Sequence, residues 1–139
     1  MCFAVILMTA TMSTAHAYLI QDLDIDSGDY STVEAYCSGN YYDFELHNTH
    51  AFVKGFVDTA LPDDGIAVVW RFVSDKEDTG WWCSFNASVD APGEWLRIDY
   101  EPGTVAYIDS YGQAGYGHWV GSTFYYTPDT NLVHASIPP

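Results

Sequence analysis

Clusters of turn-forming residues punctuate this chain along its length, and that punctuation restricts the fold more than any other feature. Asp26-Ser27-Gly28, Ser38-Gly39-Asn40, Pro62-Asp63-Asp64-Gly65, Asp90-Ala91-Pro92-Gly93, Glu101-Pro102-Gly103 and Thr127-Pro128-Asp129 mark the breaks. Gly, Pro, Asp and Asn reverse a chain because they tolerate or preset the φ values of turns. The runs between them are rich in Val, Ile, Tyr, Phe, Trp and Thr, which suit a pleated, half-buried surface. The expectation is an all-β fold, a single antiparallel β-sandwich of about seven to nine strands. One stretch is ambiguous: Ala51–Leu61 carries apolar residues at helical spacing, but Gly55 and its valines weaken a helix, so strand and helix both stand.

Alternation within each run predicts faces, because successive strand side chains point to opposite sides. Val33, Ala35 and Cys37 are expected in the core, as are Trp81, Cys83, Phe85 and Ala87, with Trp82, Ser84, Asn86 and Ser88 outside. The same rule sends Leu19, Leu23 and Ile25 inward and Asp22, Asp24 and Asp26 outward. It sends Tyr42, Phe44 and Leu46 inward and Tyr41, Asp43, Glu45 and His47 outward. Leu96, Ile98 and Tyr100 point in, with Trp95, Arg97 and Asp99 out. Phe124 and Tyr126 point in with Tyr125 out, and Val133, Ala135 and Ile137 point in with His134 and Ser136 out. Ile66–Val73, apolar on both faces apart from Arg71, reads as a central strand.

Met1–Ala17 contains no Asp, Glu, Lys or Arg, has a short apolar middle, and ends in Ala15-His16-Ala17. That pattern predicts a signal peptide, and its apolar run is too short to span a membrane. The expected product is a secreted, extracellular domain running from Tyr18 to Pro139. Cys37 and Cys83 then remain, an even pair in a compartment that permits disulfides, and both fall on apolar faces. A Cys37–Cys83 bridge inside the core is the expectation, one that would stabilise the fold by about 4 kcal/mol.

The formal charge is −15, with 19 acidic and four basic side chains. Phosphate backbones are held by clustered Lys and Arg, so nucleic acid is excluded as a partner, and anionic membrane with it. No chemistry-bearing motif stands out. Asp22–Asp29 resembles a calcium loop in its spacing of carboxylates, but Ser27 and Val33 occupy the positions where such a loop needs Gly and Glu. It reads better as an edge strand whose like charges block association. His47 and His50 do not complete a zinc set, so no metal and no cofactor are expected. Asp43 with Glu45, and Glu94 with Glu101, could serve as acid and base of a small extracellular hydrolase, but nothing in their spacing singles them out. Val120-Gly121-Ser122-Thr123 lacks the second glycine of a nucleophile elbow. Asn86-Ala87-Ser88 is a glycosylation acceptor triplet.

The remaining signal is aromatic. Alternation places Tyr41, Trp82, Trp95 and Tyr125 outside, and the stretch Ser110–Gly121, read as a glycine-rich loop, adds Tyr111, Tyr116 and Trp119. Sugar rings stack on exposed aromatic faces through their C–H-rich side. The expectation is therefore a non-catalytic binding domain that recognises a glycan or an extracellular protein through Tyr41, Trp82, Trp95, Tyr116, Trp119 and Tyr125. The rival readings are the hydrolase and a structural or defence protein that acts on a cationic partner.

Overall fold

The computed structural model describes residues 18–87 and 93–138, with the backbone alone for Gly93, Glu94, Trp95, Glu101 and Pro102. The expected leader, Met1–Ala17, and Ser88 of the glycosylation triplet lie outside the described residues. Nine strands follow one another: β1 (Tyr18–Ser27), β2 (Ser31–Tyr42), β3 (Glu45–Val57), β4 (Gly65–Ser74), β5 (Trp82–Asn86), β6 (Gly93–Val105), β7 (Ile108–Val120), β8 (Thr123–Pro128) and β9 (Val133–Ile137). They build two antiparallel sheets, one four-stranded in the order β1-β2-β3-β6 and one five-stranded in the order β9-β7-β4-β5, with β8 also paired to β7. The all-β expectation holds. The ambiguous stretch Ala51–Leu61 contributes to a strand as far as Val57, as Gly55 and the β-branched valines favour.

The core lies between the sheets. Val33, Ala35, Cys37, Leu46, Ala51 and Val53 from the first meet Ile66, Val68, Phe72, Ile108, Ala114 and Val133 from the second. Two glycines set the spacing. A Cβ at Gly112 would fall 2.4 Å from Val53 Cγ1, and one at Gly55 would fall 2.5 Å from Val68 Cγ2. Only glycine lets the two backbones approach this closely. Close-packed burial of this kind supplies most of the stability of such a fold.

Several face assignments are corrected. In β1, Asp22, Asp24 and Asp26 pair with Cys37, Ala35 and Val33 and so share the inward side. Leu23 and Ile25 turn outward and are each 50% exposed. The reason lies opposite the carboxylates. Asp22 Oδ2 accepts the Ser136 N–H (2.9 Å), Asp24 Oδ2 the His134 N–H (2.9 Å) and Asp26 Oδ2 the Asn131 N–H (2.7 Å). Backbone donors along the edge of β9 need acceptors, and an ionised carboxylate is a strong one. The alternating aspartates thus stitch the edge of one sheet to the edge of the other and leave no open strand edge there.

In β5, Cys83 pairs with Val69 and Phe85 with Ala67, while Ser84 pairs with the buried Val68. Cys83 and Phe85 therefore face away from the first sheet, the reverse of expectation. The predicted bridge is not formed: Cys37 is a buried free thiol on the inward face of β2, and Cys83 is an exposed free thiol on the outward face of β5. The five-stranded sheet itself separates them. Burial, with Asp22 and Asp109 nearby, pushes the Cys37 thiol up to about 12.

Two expected turns are bulges inside strands. The register of β2 and β3 shifts between Ser38 and Asn40, and Gly103, with φ of 146°, lies within β6. The tight reversal falls instead at Asp43 and Phe44, whose φ values are 54° and 61°. Phe44 is 91% exposed as a result. Ser110–Gly121, expected as a loop, is largely the strand β7. Tyr41 pairs with the buried Leu46 and packs against the core rather than facing out.

Candidate functional site

The outward face of the five-stranded sheet carries a row of side chains that crosses three strands and ends on the residue just before a fourth. His134 on β9 pairs with Tyr111 on β7, and Tyr111 pairs with Arg71 on β4. Trp81, the residue before β5, extends the row, its ring lying against both Tyr111 and Arg71. The His134 and Tyr111 rings stack at 4.2 Å and 11°. Trp81 meets Tyr111 at 5.9 Å and 56°, so the two ring planes form an angled platform. The Arg71 guanidinium lies 5.8 Å from the centre of the Trp81 ring, within range of a cation–π contact.

Local structure fixes each member. Asp78 grips Arg71 with both oxygens, accepting Nε–H at 2.9 Å on Oδ1, and accepts the Gly80 N–H as well. Thr79 Oγ1 accepts the Phe72 N–H, and Ser74 Oγ accepts the N–H groups of Lys76 and Glu77. Gly80 turns the chain with φ of 71°, a left-handed value that suits glycine, and delivers Trp81 to the outward side. On the far side of the row, Asp109 Oδ1 lies 2.8 Å from His134 Nε2.

The charges on this rim are set firmly. The Arg71 hydrogen bond, with help from the Gly80 amide, holds Asp78 down at about 2. The same pairing pushes Arg71 up. Burial, with Asp109 beside it, pushes the Tyr111 phenol up, so it stays a neutral donor and acceptor. The site therefore combines exposed π-faces with carboxylate acceptors and a guanidinium at fixed positions. That set can stack a ring and orient hydroxyl groups.

Further along the face, Gly115 and Gly117 carry aromatic rings directly over the backbone. A Cβ at Gly115 would fall 2.7 Å from Tyr126 Cε1, and one at Gly117 would fall 2.6 Å from Phe124 Cζ. Phe85 packs against Phe124 at 4.8 Å, and Trp119 meets Phe124 at 5.2 Å. Tyr126 donates its hydroxyl to Gln113 Oε1 at 3.0 Å, and burial pushes its phenol upward. Phe124 and Tyr126 thus face outward rather than into the main core.

The structure does not gather the six aromatics singled out from sequence. Trp119 is on this outward face. Trp82 is exposed as expected, at 59%, but on the inward side of the sheet edge, where it stacks on Trp70 at 6.4 Å and donates Nε1–H to the Thr79 carbonyl at 2.7 Å. Tyr116 meets Tyr30 edge-on at 5.7 Å, Tyr125 stacks on His118 at 5.6 Å, and Tyr41 meets Tyr18 edge-on at 6.0 Å. The Trp95 side chain lies outside what is described. The acceptor Asn86 lies in β5 and pairs with Ile66.

Sequence reasoning named Tyr111 but missed its grouping with Trp81, Arg71 and His134. A signal was present: Arg71 is the one charge in an otherwise apolar central strand, and its parity marks the outward face. For the rival chemistry, Asp43 sits in the tight β2–β3 turn and Glu45 is exposed beside it, while Glu94 and Glu101 are described by backbone alone. Among the described residues, no group of three or more His, Cys, Asp or Glu side chains is placed to hold a metal ion. In comparison with known proteins, the chain matches no family model, no curated sequence and no solved structure.

Proposed function

We propose that this protein is a secreted, non-catalytic binding domain whose ligand is a glycan, held on the outward face of the five-stranded sheet. The observation that carries the reading is the cross-strand row His134–Tyr111–Arg71–Trp81, with rings at 4.2 and 5.9 Å and a carboxylate-gripped guanidinium between them. A large aromatic left at a surface carries an unfavourable hydration cost that a ligand covering it relieves, and Trp81 is 48% exposed. The C–H face of a sugar covers such a ring favourably, while Asp78 and Asp109 accept its hydroxyls. Export fits the leader-like Met1–Ala17.

Retention of Tyr18–Pro139 on immobilised neutral glycans tests this reading. Binding should survive high salt, because stacking and burial are not screened, and Trp81→Ala should abolish it while leaving the melting temperature within a few degrees. Equal retention of wild type and Trp81→Ala would remove the row from the site. A second reading, an extracellular protein partner, is favoured by one other observation. Leu19, Leu23 and Ile25 lie half or more exposed along β1, on the outward face of the four-stranded sheet. Loss of a partner on Leu23→Lys, with Trp81→Ala silent, would move the function there.

A further inference from the structure

Resting on the glycan reading, we infer that the ligand is a single extended chain of neutral sugars, long enough to cover the whole outward face, rather than a terminal sugar or a crystalline polymer surface. Three observations lead there. The first is length. Tyr111 and Trp119 lie on the same strand and on the same outward side, eight residues apart. At a rise of about 3.3 Å per residue they are separated by about 26 Å. Each end is marked by an exposed tryptophan, Trp81 at 48% and Trp119 at 57%.

The second is the shape between the ends. Gly115 and Gly117 remove the side chains that would stand up in the middle of the face, and the rings of Tyr126 and Phe124 take their place over the backbone. The face is continuous from one tryptophan to the other, with no charged side chain in the central rows formed by Gln113, Val69, Cys83, Gly115, Ala67 and Phe85. The aromatic pairs are nevertheless tilted, 56° at Trp81–Tyr111 and 60° at Trp119–Phe124. Rings inclined in this way cannot all lie parallel to one flat surface. They can follow a single chain whose units turn relative to one another.

The third is charge. The carboxylates on the face are Asp78 and Asp109, the one guanidinium is already gripped by Asp78, and the chain as a whole carries −15. Uronate or sulfate groups would be repelled from such a surface. The ligand class is therefore a neutral polysaccharide chain, recognised internally along its length.

Calorimetric titration of the intact domain with soluble cello-, laminari- and chito-oligosaccharides, from disaccharide to octasaccharide, reads this directly. In the series that binds, affinity should rise by at least about tenfold, or about 1.4 kcal/mol, from disaccharide to octasaccharide. Trp119→Ala should remove that gain while leaving the disaccharide affinity unchanged, and Trp119→Phe should restore part of it. Trp81→Ala should weaken every length. Heparin and polygalacturonate fragments should not compete. Affinity independent of length, or a Trp119→Ala variant with an undiminished gain, would overturn the extended track while leaving the platform itself intact. Preferential retention on crystalline cellulose or chitin over the soluble chains would also overturn it. Competition by the anionic fragments would overturn the neutral class. Absence of binding to all three series, by protein of native melting temperature, would overturn the underlying glycan reading.

Discussion

Two edge strands of this molecule, β1 and β5, obey a different rule from the central strands. In β2 and β4 the apolar set faces inward: Val33, Ala35 and Cys37 on one, Ile66, Val68 and Phe72 on the other. In β1 and β5 the more polar set does so. Asp22, Asp24 and Asp26 point in from β1, and Ser84 and Asn86 from β5, while Leu23, Ile25, Cys83 and Phe85 point away. The difference is in what each strand meets. A central strand meets the opposing sheet, and apolar burial decides its orientation. β1 meets an edge instead, a line of backbone N–H groups on and just before β9, and acceptors win over leucines. Side-chain period is intrinsic to a strand, but the choice of inward face belongs to its surroundings.

The largest effect should come from damage to the central pair. Phe72→Ala removes the largest fully buried side chain and should cost about 3–5 kcal/mol in denaturant unfolding. Next comes Asp129, which ties the β1–β2 connection by accepting the N–H groups of Asp29, Tyr30 and Ser31 and the Ser31 hydroxyl. Asp129→Ala leaves several donors without an acceptor and should cost about 2–3 kcal/mol. Burial raises the Asp129 pKa, but the Ser31 hydroxyl and the backbone amides outweigh it and hold the carboxyl below its ordinary value. A depressed folded pKa contributes stability that is present above the unfolded value, near 3.9, and lost as pH falls through the folded one. Asp129→Asn should therefore flatten the acid limb of the stability profile, which a melting series across that range would register.

A smaller loss, about 1.5 kcal/mol, is expected for Asp22→Ala, which frees only the Ser136 N–H. The substitution sharpens the comparison: if β1 were oriented by its leucines, Leu23→Ala would be the costlier change, whereas it should stay within about 0.5 kcal/mol of wild type. The smallest effect concerns the thiols. In the folded domain one thiol, Cys83, should react with a maleimide, and the second, Cys37, only after unfolding. A domain of Tyr18–Pro139 that offers no thiol even in denaturant would restore the Cys37–Cys83 bridge.

What could be read from the sequence follows the same division. Turn spacing and β-former content revealed the all-β class. Ile66–Val73, apolar on both faces apart from Arg71, was rightly read as a central strand, and Val133, Ala135 and Ile137 were assigned the right face. The aspartates of β1 were not, because their acceptor role depends on β9, more than a hundred residues distant in sequence. The candidate site was half legible. Aromatic abundance pointed to an exposed aromatic surface, and Trp119 lies on the outward face that carries one. Trp81 and Trp82 are adjacent and chemically alike, so only the register of β5 against β4 decides which one faces outward. Tyr111 was singled out with Tyr116 and Trp119, but the glycines around it read as a loop, so its place in a strand between Arg71 and His134 was not foreseen. In the fold Gly112 admits Val53 from the opposing sheet, while Gly115 and Gly117 seat aromatic rings on the outward side.

Amide shift mapping on the isotope-labelled domain, titrated with soluble neutral oligosaccharides, confronts the two outward faces in one experiment. The account predicts perturbations at Arg71, Trp81, Tyr111 and His134, spreading toward Trp119 as the oligosaccharide lengthens, with Leu23, Tyr36 and Phe52 unmoved. Perturbations confined to the four-stranded sheet, or none on either face, would contradict it.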